Sequence, residues 1–136
     1  MANNQLGDAT GRTQTMTVEA TEDISAGDAV AIDQSADDGR HPPAAQAQDD
    51  TTPDVNQLAA IANADIDNGE RGTVTISGPV VANVADDVNA GERLAPSAVA
   101  GQLDTEDDGH ALALSDEGGT DSAGTVLGDN EAEVLI

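Results

Sequence analysis

Apolar and polar residues alternate along much of this chain, and the alternation has the period of two that belongs to a half-buried β-strand. Met16 and Val18 alternate with Thr15, Thr17 and Glu19. Val74 and Ile76 alternate with Thr73, Thr75 and Ser77. Val80, Ala82 and Val84 share a face, and Ala132, Val134 and Ile136 alternate with Glu131, Glu133 and Leu135. Ala29, Val30, Ala31 and Ile32 form a short continuous run suited to a buried strand. A helical period is hard to find. The alanine-rich segment from Val55 to Ala64 fits a helix or a strand equally.

Turn signals separate these runs at short intervals. Asn68-Gly69 predicts a type I′ hairpin turn, with Leu58 to Asp65 as one arm and Arg71 to Ser77 as the other. Gly78-Pro79 interrupts the second arm, because proline has no N–H to give a central ladder. It marks an edge, a bulge or a sharp bend where the strand changes sheets. Asp37 to Asp54 carries three prolines and five aspartates and predicts a long exposed acidic loop. Asp104 to Gly109 and Ser115 to Ser122 predict smaller acidic excursions, and residues 1–12 a flexible N-terminal arm. ISAGDAVAID at 24–33 is echoed by VNAGERLAPS at 88–97. Each reads as a glycine turn launching a short strand, and two such corners suit a pseudo-repeated β fold. Coincidence in a chain rich in Ala, Gly and Asp is the competing explanation. The expected fold is all-β: a small β-barrel or β-clip-like domain over 13–136, with short strands and a loop at about 37–54.

Composition changes the picture sharply. The 136 residues hold 27 acidic side chains against four arginines, with no lysine and a formal net charge of -23. In dilute buffer such self-repulsion opposes a compact state. At about 1 M salt the Debye length falls to roughly 3 Å, and most of the repulsion is screened. This points to a protein adapted to high salt, from a haloarchaeal setting, with loosely bound salt cations on its surface. Leu, Ile, Val and Phe make up 25 of 136 residues, a share usual for disordered chains. The apolar residues are patterned rather than scattered, which favours a fold. With no aromatic residue, the core must be built from Val, Ile, Leu and Ala. So lean a core points to oligomerisation, or docking on a larger body, to complete the burial.

The charge also excludes partners. Phosphate binding needs a cationic footprint that four scattered arginines cannot supply, so neither nucleic acid nor an anionic membrane surface is expected. The chain has no cysteine, and no secretory signal is visible in MANNQLGDAT. No catalytic constellation, cofactor site or metal site stands out. His41 and His110 lie in polar segments and are expected at the surface. The pairs Asp37-Asp38, Asp49-Asp50, Asp86-Asp87 and Asp107-Asp108 are too numerous to single out as an acid/base dyad, and read as solvated surface. DIDNGE at 65–70 has the start of a calcium loop. Its glycine is one place early, however, and Ile76 stands where a bidentate Glu belongs.

The order of these segments resembles a known family. An Ala-Gly-Asp-x-Val corner at 26–30 precedes LAAIANADIDNGE at 58–70 and GTVTISGPV at 72–80. A second corner, Ala-Gly-Glu-x-Leu, follows at 90–94, and the chain closes with HALAL and GTVLGDNEAEVLI. This is similar to the small capsid decoration, or head-stabilising, proteins of tailed viruses. The resemblance covers roughly residues 16–136. It implies a compact β domain of β-clip or small-barrel type, a homotrimer seated on the major capsid protein lattice, and no enzymatic activity. The location it implies is the capsid exterior, after assembly in the host cytoplasm. The arm Ala2 to Arg12 is then a candidate strand donor to the capsid surface. A halophilic cellular β-barrel ligand-binding module, a turret or tail component, and a small hydrolase using an aspartate pair are the alternatives. The lack of aromatic lining weakens the first of these, and the sequence does not separate the second from a head protein.

Overall fold

Every element of the chain that the structure describes is a strand, turn or bend. The structure, a computed structural model, describes residues 13–33, 41–48, 58 and 60–136. Five strands come first: β1 (Gln14–Ala20), β2 (Ala29–Ile32), β3 (Pro43–Gln46), β4 (Ala60–Ala62) and β5 (Arg71–Ser77). Five more follow: β6 (Pro79–Asn83), β7 (Arg93–Pro96), β8 (Leu103–Thr105), β9 (Ala111–Ala113) and β10 (Glu131–Leu135). The first five pair in the order β1-β3-β2-β4-β5, and β5 returns to β1 to make a barrel-like ring. Its parallel seam is β1–β3, where Glu19↔Pro43 and Ala20↔Ala44 are in register; β2–β4 and β4–β5 are as short, with two pairs each. The other five form a sheet in the order β6-β10-β9-β7-β8.

The two halves are the same fold, strand for strand. Ile61↔Thr75 and Ala62↔Val74 join β4 to β5 as Leu112↔Leu135 and Ala113↔Val134 join β9 to β10. Ala29↔Ile61 and Val30↔Ala60 match Arg93↔Leu112 and Leu94↔Ala111. Ala31↔Ala45 and Ile32↔Ala44 match Ala95↔Asp104 and Pro96↔Leu103. Val18↔Gly72 matches Ala82↔Ala132. Even the parallel contact Ala20↔Ala44 has its counterpart in the isolated parallel bridge Val84↔Leu103. The echo between 24–33 and 88–97 is therefore structural.

The corner that carries the echo has a clear local cause. Residues 25–28 and 89–92 are tight turns closed by Asp28 N–H to the Ser25 carbonyl (3.0 Å) and Glu92 N–H to the Asn89 carbonyl (3.2 Å). The third residue of each, Gly27 or Gly91, takes φ of 87° or 91°, a region that L side chains resist. The acid at the fourth place then turns back. Asp28 accepts the Ser25 N–H and Glu92 the Asn89 N–H, so each turn caps its own first donor. Residues 128–131 repeat the device with Asn130 at φ 62° and the Glu131 carboxylate on the Gly128 N–H. Ile24, Val88 and Leu127, one place before each turn, are buried.

The Asn68-Gly69 turn differs from expectation. Glu70 N–H closes it on the Asp67 carbonyl at 2.9 Å, but only Gly69 has positive φ, 85°. That is the signature of a type II turn, not of type I′, which needs positive φ at both central residues. Asn68 stays in the ordinary region, its N–H held by the Asp23 carboxylate at 2.9 Å. The hairpin is also longer than a tight one, since β4 ends at Ala62 and the chain first bridges Ile66 to Ile24. Ala60–Ala62 resolves the ambiguous alanine-rich segment as a strand. Val55, Asn56, Gln57 and Ala59 lie outside the described residues.

Gly78-Pro79 is the bend where the chain leaves the first sheet and enters the second. Gly78 and Ile136 exchange backbone hydrogen bonds there, at 3.1 and 3.2 Å. The expected arm at 1–12 lies outside the described residues. Of the loop expected at 37–54, only 41–48 is described, and that part is not an exposed excursion. It forms β3, with Ala44 and Ala47 buried. The prolines do not prevent this, because the strand asks them only for acceptors. The Pro42 carbonyl receives Glu19 N–H at 3.0 Å, and the Pro43 carbonyl receives Asp33 N–H at 2.9 Å.

The core has two parts. Val18, Ile24, Val30, Ile66 and Val74 fill the interior of the first ring. The second cluster is shared: Ala29, Ala47 and Ile61 of the first half pack with Val84, Leu94, Leu103 and Val134 of the second. Backbone bonds sew the same seam. Ala29 N–H donates to Gly101 carbonyl (2.8 Å), Gly101 N–H to Ala47 carbonyl (2.9 Å) and Asn83 N–H to Gly27 carbonyl (2.8 Å).

Candidate interaction surface

The outward face of the second sheet carries exposed large apolar residues. Register places Arg93, Leu112, Leu135 and Pro79 in one row across β7, β9, β10 and β6. Leu112 is 36% exposed and Leu135 is 42% exposed. Leu114, two residues on from Leu112 and so on the same face, is 40% exposed. Beneath them the inward residues Ala111, Ala113, Ala132 and Val134 are buried. On β9 the leucine stands outside and the alanines inside, the reverse of what burial alone would select, while Leu94 and Leu103 of β7 and β8 stay buried. The chain has eight leucines, so placing three on one outer face is a large commitment of apolar surface.

Three carboxylates share this side of the sheet, Asp104, Glu131 and Glu133, and the most buried of them is occupied. Glu133 is 9% exposed and accepts from Ser122 N–H at 3.1 Å and from Ser122 Oγ at 2.8 Å. Its own N–H donates to Ser115 Oγ at 2.9 Å. These bonds fold the segment after β9 back along the sheet. Val126, in that segment and bridged to Thr120, is 76% exposed.

The residues singled out in the sequence are used for structure. Asp28 is 5% exposed and receives Ser25 N–H, Gln46 Nε2 and Asn83 Nδ2 within 2.8 Å. Asp65 accepts the Ala26 N–H, which takes DIDNGE into the packing of a neighbouring turn. Asp86 accepts Asn130 Nδ2, and Asp107 and Asp108 are exposed. Asp37-Asp38 and Asp49-Asp50 lie outside the described residues. His110 is exposed, whereas His41 is half-buried beside β3 rather than at the open surface. Among the described residues no group of three or more His, Asp or Glu is placed to hold a metal ion. A cleft of about 350 Å³ lies between the halves, bordered by Ala26, Gly27, Asn63, Val80 and Glu131. No helix among the described residues is long and apolar enough to cross a membrane.

The leucine face escaped the sequence reading because β9 is only three residues long. Its outward Leu112, and Leu114 just beyond its end, look like core in the run HALAL. The available signal was the alternation itself: alanines at 111 and 113 leave the leucines facing the other way.

The described residues thus form paired five-strand units around an aliphatic core, with exposed leucines on the outer side of the second sheet. A solved structure shares the architecture. The crystal structure of the head fibre gp8.5 N base of bacteriophage phi29 superposes with a TM-score of 0.60 at 19% identity, covering 92% of this chain and 94% of that one. Comparison with curated proteins gives no match. The phage cement protein family model matches residues 9–128, and the chain belongs to that family. It is thus a capsid-associated structural protein of a virion, in a family without enzymatic activity.

Proposed function

We propose that this protein decorates and stabilises a viral capsid by binding the outer surface of the major capsid protein lattice in a high-salt environment. The membership of residues 9–128 in the phage cement family carries the reading. A head position is preferred over a turret or tail one, because the phi29 protein that shares the fold belongs to a head fibre. The chain acts as one domain over 13–136, since the shared cluster and the sewn seam join its halves. It works as a homotrimer, which supplies the burial that a core without aromatics lacks. The arm Ala2 to Arg12 serves as a strand donor to the lattice. The net charge of -23 keeps particles dispersed in brine and holds salt cations at the surface, which supports a haloarchaeal virus as the source. Assembly takes place in the host cytoplasm, onto the capsid exterior.

The test is co-sedimentation with capsids lacking this protein, in about 3 M KCl where surface charge is screened. Saturable binding at a fixed ratio to the major capsid protein is expected. A protein left wholly in the supernatant overturns the reading.

A further inference from the structure

Asn68-Gly69 carries a chemistry that its turn does not use. An asparagine followed by glycine is prone to cyclise on itself, because glycine has no side chain to hinder attack by its own nitrogen. This is the one Asn-Gly pair in the chain. Both residues are exposed, and a Cβ built on Gly69 would meet nothing within 4 Å. Crowding therefore does not protect the pair.

Hydrogen bonds do. The atom that would attack is the Gly69 nitrogen, and its N–H donates to the Ala20 carbonyl at 2.8 Å. Ala20 gives its own N–H to the Glu70 carbonyl at 2.9 Å, so the turn is bolted to the end of β1 from both sides. Ala20 is 2% exposed, belongs to the core of the first ring and stands in register with Ala44 across β1–β3. The Asn68 N–H is held by the Asp23 carboxylate at 2.9 Å. A type II turn also sets ψ of its first central residue at about +120°. At Asn68 that turns the Gly69 nitrogen away from Cγ. Cyclisation needs this bond rotated and the Ala20 bond broken, and both changes require β1 to let go.

We propose that Asn68 is a self-modification site gated by the fold: it deamidates once β1 releases Gly69, and Ala20 prevents this while the ring stands. In the released chain the Gly69 nitrogen attacks Asn68 Cγ. The bond from Cγ to the side-chain nitrogen breaks, and that nitrogen leaves as ammonia with the proton from Gly69. Water then opens the cyclic imide at either carbonyl, giving aspartate or isoaspartate at position 68. Ammonia is lost, water is gained, and nothing is oxidised or reduced. Either product adds a carboxylate beside Asp23, Asp67 and Glu70, and isoaspartate also lengthens the main chain of the turn by one carbon. A chain that has once lost its fold is thereby marked, and like-charge repulsion opposes its return.

The experiment holds wild type in mildly alkaline buffer, folded in about 3 M KCl or unfolded in urea, and maps its peptides by mass spectrometry. Replacement of ammonia by water at Asn68 is expected at least about tenfold faster in the unfolded chain, as for any reaction that waits on local opening. Asn63, Asn83, Asn89 and Asn130, each followed by a residue larger than glycine, are expected to stay intact over the same time. Asn68→Gln, whose ring closure would need six members, is expected to show no conversion at 68 in urea. Hydrogen exchange of the folded protein checks the lock directly: the exposed Gly69 N–H is expected to exchange as slowly as the Ala20 N–H. Equal rates of conversion in folded and unfolded wild type overturn the proposal. So does an Asn68 that survives in urea as the other asparagines do, or a Gly69 N–H that exchanges freely while Ala20 is protected.

Discussion

Asn83, at the end of β6, donates its Nδ2 to the Asp28 carboxylate at 2.8 Å, and so ties the second half of the chain to the first corner of the first half. The same carboxylate takes Gln46 from β3 at 2.7 Å and the Ser25 N–H of its own turn. Three donors from three places in the sequence meet one buried anion.

Asp28→Ala leaves Gln46 and Asn83 without their acceptor at a nearly closed site. A loss of about 1–3 kcal/mol is expected, the usual consequence of stranding buried donors. Chemical unfolding in high salt measures it. Asp28→Ala with the stability of wild type would mean that water replaces the carboxylate freely.

Gly101 approaches the same carboxylate from the other side. A Cβ built there would stand 2.7 Å from the Asp28 Cγ, and the residue has φ of 81°. Gly101→Ala therefore meets both a clash and backbone strain, and a loss of more than about 1 kcal/mol is expected. Combined with Asp28→Ala, part of that loss should be recovered, because the clashing atom is gone. A double-mutant cycle reads the coupling, and strict additivity would count against the close approach.

The repeated corner makes a prediction about glycine itself. A Cβ at Gly91 would have nothing within 4 Å, so only its φ of 91° opposes substitution. Gly91→Ala should cost about 1–2 kcal/mol, the penalty of the left-handed region. Gly91→Asn should cost less, since Asn130 fills the equivalent place at 128–131. Equal melting temperatures for the two variants would remove backbone conformation as the cause.

Salt should act on the whole molecule. Raising KCl from about 0.1 M to about 3 M shortens the Debye length from roughly 10 Å to below roughly 3 Å. The thermal midpoint, followed by circular dichroism, should climb steeply across that range. A midpoint indifferent to salt would show that the acidic surface is no burden to the fold.

The strands with clear alternation were legible in the sequence. β1, β5, β6 and β10 each show period two, and Gly78-Pro79 marked the change of sheet. β3 was hidden because prolines and glutamines do not look like a strand, although its neighbours need only its carbonyls and two small alanines. The internal duplication was visible at one corner and invisible elsewhere. What the halves share is register and the turn, and at 128–131 Asn130 replaces the telltale glycine. The leucine face was illegible for a related reason. Three-residue strands give too short a period to say which side faces in, and only the pairing of Leu112 with Leu135 reveals it.

That inversion of leucine and alanine has a consequence for how the sheet finds its register. Where an interior is oily and an exterior polar, a strand that slips by one residue is punished by hydration. Sliding β9 by one place here would exchange alanines for leucines, apolar for apolar, and hydration would hardly object. The objection comes from volume, because Ala111 and Ala113 face a cluster already filled by Ile61, Leu94, Leu103 and Val134, and larger side chains in their places would overpack it. The strand β9 is aligned as a key is by its lock: the packed space beneath it is the gauge, and Leu112, too wide for the place of an alanine there, is left outside.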